Sequence, residues 1–151
     1  MRHPRKGFTL IELLAVVIVI GILASIAVLK YSDLRNTARA AEVAGDFRVV
    51  MVGAYNYNSD NNAWPPDGAA GVKPPALEPY LPRGFTFTRP EYTLDFDNFG
   101  VGGGSYVVGV TVSSSNASLM AKLIRNLGSR YPYFSAGGTL TYIIVGVGGG
   151  A

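Results

Sequence analysis

A run of residues without a charge, 13–29 (LLAVVIVIGILASIAVL), constrains this chain more than any other feature of it. As an α-helix the run spans roughly 26 Å, near the lower limit for crossing the hydrocarbon core of a bilayer. Thr9, Leu10 and Ile11 extend it toward the N-terminus. The flank before it, residues 1–7, is short and carries Arg2, Arg5 and Lys6. The positive-inside rule therefore places that end in the cytoplasm and everything after Lys30 beyond the membrane. An ordinary secretory signal has a shorter apolar region with a small-residue cleavage site behind it. Here the small-residue junction, Gly7-Phe8, stands in front of the run.

Within the segment Glu12 is the anomaly. A carboxylate in lipid is costly and marks function by default. A plain signal anchor would have no use for it. A cut between Gly7 and Phe8 would create an ammonium at Phe8, one helical turn from Glu12. The carboxylate could then pair with its own amine or with that of a neighbour packed alongside.

The stretch Lys6-Gly7-Phe8-Thr9-Leu10-Ile11-Glu12-Leu13-Leu14 resembles the class III signal of type IV pilins and type II secretion pseudopilins, the major pseudopilins most of all. The resemblance is strong over residues 5–28 and architectural beyond about residue 60. It implies cleavage after Gly7 by a prepilin peptidase, N-methylation of Phe8, and docking of Glu12 on the Phe8 amine of the preceding subunit. It further implies a homo-oligomeric helical filament built with an assembly platform and minor pseudopilins. The subunit would wait in the inner (cytoplasmic) membrane as a single-pass protein, N-terminus cytoplasmic and head periplasmic. The filament would then stand in the periplasm or at the cell surface. Family members often carry a proline near the end of the apolar run, where this chain has Leu29. Gly21 is then the weakest point of the helix and an assembly candidate, and with Ser25 it makes a small-xxx-small pair suited to close helix packing.

Charge and composition narrow the chemistry. Of thirteen basic residues three precede the apolar run, which leaves ten against ten acidic ones and removes the only histidine, His3. A near-neutral body does not favour nucleic acid as a partner. Without His or Cys it has no thiolate or imidazole zinc site, no Ser-His-Asp or Cys-His catalysis and no disulfides. No enzyme activity and no cofactor are expected.

Residues 31–60 contain no proline and read as a continuation of the helix. Arg35, Arg39, Glu42 and Asp46, spaced 4, 3 and 4, share one stripe, expected to be solvated. Apolar residues around the rest of the circumference cover well over half of the helix, more than one core requires. The excess suits a helix between its own head and its neighbours. Arg48 interrupts that apolar sector, as an edge or an intersubunit ion pair. Residues 8–60 as one helix would be roughly 80 Å long.

The chain thus divides into a leader (1–7), a membrane-spanning or filament-core half-helix (8–30), an amphipathic half-helix (31–60) and a head (61–151). Turn formers at 58–62 close the helix, and Trp64-Pro65-Pro66 begins an extended loop. Residues 76–81 suit a short helical turn seating Leu77 and Leu81. Strand patterns occur at 85–88, at 92–97 with Tyr92, Leu94 and Phe96 on one face, at 106–112, and in a hairpin ending at 145. Residues 115–127 read as a helix with a Ser115 or Asn116 cap and Gly128 past its end. The tail 146–151 is expected to fray. The fold class is α+β: a long N-terminal helix packed on an antiparallel sheet of about four or five strands.

Asp95, Asp97 and Asn98 form an oxygen-rich group, and the resemblance makes calcium conceivable there. The two aspartates equally fit the outer face of an alternating strand. Residues 100–104 are not a phosphate loop, because no Gly-Lys-Ser/Thr follows. Three functions follow: a structural filament subunit, a minor tip pilin binding protein or DNA, and a membrane-anchored periplasmic binding domain. The last predicts no dependence on Gly7 or Glu12. The small head, the lack of cysteines and the Trp64-Pro65 loop incline the resemblance toward a secretion pseudopilus.

Overall fold

The computed structural model describes residues 7–102, 105–129 and 131–146. Leader positions 1–6, the centre of the glycine turn (103–104) and the tail 147–151, for which fraying is expected, lie outside the described residues. The chain divides into two units, Met1–Arg35 and Asn36–Ala151. One helix, α1 (Leu10–Asn61), runs through both.

In the first unit α1 stands without tertiary packing. Every described side chain from residue 7 to residue 35 is exposed. The absence of proline keeps the backbone ladder unbroken, and Gly21 continues the helix with nothing within 4 Å of where a Cβ would lie. This segment is long and apolar enough to span a membrane.

In the second unit Ala40, Val43, Phe47, Val50 and Ala54, spaced 3, 4, 3 and 4, are buried on one face of α1. The helix stops at Asn61, and Asn62 turns the chain with φ of +51°. The loop that follows buries Pro65 and leads to a 3-10 turn (Pro75–Tyr80), which seats Leu77 and, just after it, Leu81 in the core. Gly53 admits this turn. A Cβ there would meet Leu81 Cδ2 at 3.0 Å and the Tyr80 carbonyl at 3.3 Å.

The sheet has four strands among the described residues: β1 (Thr93–Gly102), β2 (Ser105–Ser113), β3 (Tyr133–Ala136) and β4 (Thr139–Val145), all antiparallel in the order β1-β2-β4-β3. Between β2 and β3 lies α2 (Ala117–Leu127). Asn116 caps it, accepting the Leu119 N–H at 3.1 Å, and its own amide donates to Asn36 Oδ1 of α1 at 2.9 Å. Gly128 closes α2 with φ of +57°, a value that favours glycine. Gly137 and Gly138, both at positive φ, make the β3–β4 turn. Leu94, Phe96, Val108, Val110, Val112 and Leu140 of the sheet join Phe47 of α1 and Leu119 and Leu123 of α2 in one core.

Two expectations are corrected. Residues 85–88 are not a strand, and only an isolated bridge, Thr88 to Thr93, forms there. The alternation is real, because Phe85 and Phe87 are buried and Thr86 and Thr88 exposed. But the Gly68 and Gly71 N–H groups already donate to the Phe96 and Leu94 carbonyls, each at 2.8 Å, along the outer edge of β1. The second correction concerns the charged stripe. It is not a uniformly solvated face, for Asp46 is only 8% exposed. The Tyr92 hydroxyl donates to Asp46 Oδ2 at 2.7 Å, and Arg89 Nη2 lies 3.3 Å from both carboxylate oxygens. Arg39 pairs with Glu42 and, at 3.9 Å, with Glu91.

Candidate functional site

At the start of α1, Gly7, Phe8 and Thr9 precede the first helical turn and are exposed. The Gly7–Phe8 peptide bond therefore lies in non-helical, accessible backbone, the kind of segment that proteases cut. Thr9 and Glu12 form a capping box. The Thr9 N–H and hydroxyl both donate to Glu12 Oε2 at 2.9 Å, and the Glu12 N–H donates back to Thr9 Oγ1 at 3.3 Å. The carboxylate is thus held at the N-terminal end of the helix, where the backbone dipole favours negative charge. It is also one turn from the position where a cut would place the Phe8 amine. Sequence reading missed Thr9 in this role. The Thr-x-x-Glu spacing at 9–12 was the available signal.

In the head, Asp95 and Asp97 share the outer face of β1, opposite Leu94 and Phe96, with Asp67 of the preceding loop nearby. Burial first, then the negative charges of Asp97 and Asp67, push the Asp95 carboxyl up to about 6, and its Oδ1 is buried without a hydrogen-bond partner. Burial also raises Asp97, against a hydrogen bond from the Thr111 hydroxyl that lowers it. Asn98 is engaged by the preceding loop. Its N–H donates to Asp67 Oδ1 at 2.8 Å and its amide to the Pro65 carbonyl at 2.7 Å. Among the described residues no three His, Cys, Asp or Glu side chains are grouped so as to hold a metal ion.

Residues 2–28 match the family model described as the prokaryotic N-terminal methylation motif. The chain is 42% identical over 71 residues to fimbrial protein EcpC of Eikenella corrodens, covering 46% of this chain and 46% of that protein. It is 34% identical over 64 residues to type II secretion system core protein G of Pseudomonas aeruginosa, covering 42% of this chain and 45% of that one. The fold matches the major type IV pilin PilA1 of Clostridium difficile with a TM-score of 0.52, at 20% identity, covering 76% of this chain and 99% of that one. The chain is thus similar to type IV pilins and pseudopilins in its N-terminal motif, and to a type IV pilin in its fold. Its matches span less than half the length of these two relatives.

The structure places Gly7 and Phe8 on exposed backbone, Glu12 in the first turn of α1 and Gly21 within the bare half of that helix. The α+β fold stands as read, with the long helix on a four-stranded antiparallel sheet. Asn116, one of two cap candidates, is the cap.

Proposed function

We propose that the chain is the structural subunit of a helical, type IV pilus-like filament, processed at Gly7–Phe8 by a prepilin peptidase, N-methylated on Phe8 and held in the inner membrane before assembly. The observation that carries this reading is the first half of α1. It is wholly exposed and apolar, and opens on the methylation motif with Glu12 held in a capping box. Such a surface is stable in water only when covered, by lipid before assembly and by equivalent helices after it. The N-terminus faces the cytoplasm and the head the periplasm, as the basic flank directs. Extraction from lipid buries Glu12, which lowers the energy of the assembled state only if it meets a cation, and the Phe8 amine of the preceding subunit supplies one. The subunit's role is mechanical, with an assembly platform and minor pseudopilins as partners.

The finer reading is a type II secretion pseudopilus, supported by the likeness to core protein G and by the head of about ninety residues. The likeness to fimbrial protein EcpC favours a surface pilus as the second reading. Filaments sheared from the cell surface, against loss of secreted proteins on deletion, separate the two. The test of the filament role itself is Glu12→Ala. The variant should insert and be cut normally, while filament yield falls by about tenfold or more, as when a buried ion pair loses one partner. An unchanged yield would end the proposed role of Glu12.

A further inference from the structure

The filament reading leaves the partner of Arg48 unassigned. Arg48 stands on α1 beside Phe47 and Val49, in a sector otherwise apolar, and its side chain is exposed. It lines a groove of about 420 Å³ between α1, the last turn of α2 and the loop after it, with Asn126, Gly128, Ser129 and Tyr131. Behind this groove a narrow hollow of about 40 Å³ is backed by Phe47 and Tyr142, whose rings stack at 5.5 Å. Arg48 makes one long hydrogen bond, Nη2 to the Tyr131 hydroxyl at 3.4 Å. Among the described residues no carboxylate is paired with it within 4.0 Å, whereas Arg39 has two such partners and Lys73 and Arg89 one each.

A guanidinium offers five N–H donors in a planar fork, which a carboxylate fills with two parallel bonds. Asn126 and Ser129 add neutral donors at the rim. Phe47 and Tyr142 in the hollow behind it give the groove an apolar wall on one side only, so the recognition rests on the fork geometry of the guanidinium. The C-terminus of α2 would oppose an anion, but Arg125 in its last turn offsets that partial charge. The groove therefore has the chemistry of a carboxylate receptor.

The filament reading, on which this inference rests, supplies the source: another copy of the chain. A contact that repeats without closing must join two different patches of the subunit, since a patch that pairs with itself closes a dimer. Glu78 meets that condition. It lies on the 3-10 turn that packs over Gly53, five residues and roughly 140° around α1 from Arg48. Its side chain is 66% exposed. Oε1 accepts from the Lys73 ammonium at 2.8 Å, and a carboxylate has a second oxygen with which to accept further bonds. Pro75 and Pro79 stiffen the turn that carries it, so little ordering is lost on docking. We infer that the Glu78 carboxylate of one subunit docks in the Arg48 groove of the next, as an ion pair repeated along the filament.

The chain has no cysteine, so introduced thiols react against no background. Arg48→Cys and Glu78→Cys are combined in the full chain, expressed in host cells with the assembly machinery, and treated with a short bis-maleimide. The linker is needed because an Arg–Glu pair holds its Cα atoms farther apart than a disulfide spans. The expected result is a covalent ladder extending past the dimer, absent from either single variant. Filaments that form without a ladder overturn the pairing. So does Arg48→Cys alone giving a dimer and nothing larger, because the groove would then face its own copy.

A charge swap covers the case in which the double-cysteine chain does not fold. R48E alone should reduce filament yield by about tenfold or more, with an unchanged melting temperature, and R48E/E78R should restore it. Equal yield in all three chains overturns the inference, as does a loss that E78R leaves unrepaired. Failure of the filament reading is visible separately, as no filament from the unaltered chain.

Discussion

The two halves of α1 share one backbone geometry and solve opposite problems. From residue 36 onward the apolar positions fall on a face, Ala40, Val43, Phe47, Val50 and Ala54, which the head covers. Before residue 36 the apolar residues run all the way round and nothing in the subunit covers them. The first pattern is that of a helix folded by its own chain. The second is that of a helix whose solvent is lipid or other helices. On the proposed reading a single element carries both the stability of the head and the surface used in assembly, and the two should be separable by mutation.

The largest break is deletion. A chain of residues 36–151 should fold as a soluble monomer with the melting behaviour of the full-length head, while losing membrane association and filament formation completely. A head that unfolds on deletion would show that the halves are not independent. Next come matched truncations of side chains. Phe47→Ala should cost about 3–5 kcal/mol of unfolding free energy, the range for a large buried aromatic. Ile18→Ala, in the exposed half, should leave the denaturation midpoint of the detergent-solubilised subunit unmoved. Smaller still is Asn116→Ala, which removes the α2 cap and the bond to Asn36 and should lower stability by about 1 kcal/mol.

The smallest effect depends on pH. The Asp95 carboxyl is raised to about 6 in the fold, above its ordinary value. The folded state therefore binds the proton more tightly than the unfolded one. Stability from this group is fully present below about pH 4 and is lost as the pH rises through about 6. Asp97, also raised, acts in the same direction. Asp95→Asn should match the wild-type melting temperature near pH 4 and exceed it above pH 6. A constant difference across that range would contradict the linkage.

Much of this was legible in the sequence because it is local. The 13–29 run, the Tyr92, Leu94 and Phe96 alternation, the Asn116 cap and the paired glycines at 137–138 each carry their own structural instruction within a few residues. What was not legible depends on partners far along the chain. Asp46 lies on a stripe that reads as solvated, and it is buried by Arg89 and Tyr92, 43 and 46 residues later. Phe85 and Phe87 alternate like a strand, but only the Phe87 carbonyl reaches β1, at the Leu94 N–H, and Gly71 and Gly68 take the Leu94 and Phe96 carbonyls along that edge. The methylation motif, which includes Gly7, Phe8 and Glu12, was readable for the same reason as the caps, being compressed into a short stretch. The Arg48 groove was not, because its walls come from two segments nearly eighty residues apart.

The central claim is that this chain matures as a pilin-family subunit at Gly7–Phe8, and the most direct test is the intact mass of the protein purified from membranes of its native host. The account predicts a chain that has lost residues 1–7 and gained one methyl group on Phe8. An uncut chain from cells with an active prepilin peptidase would contradict it and leave α1 as a simple membrane anchor.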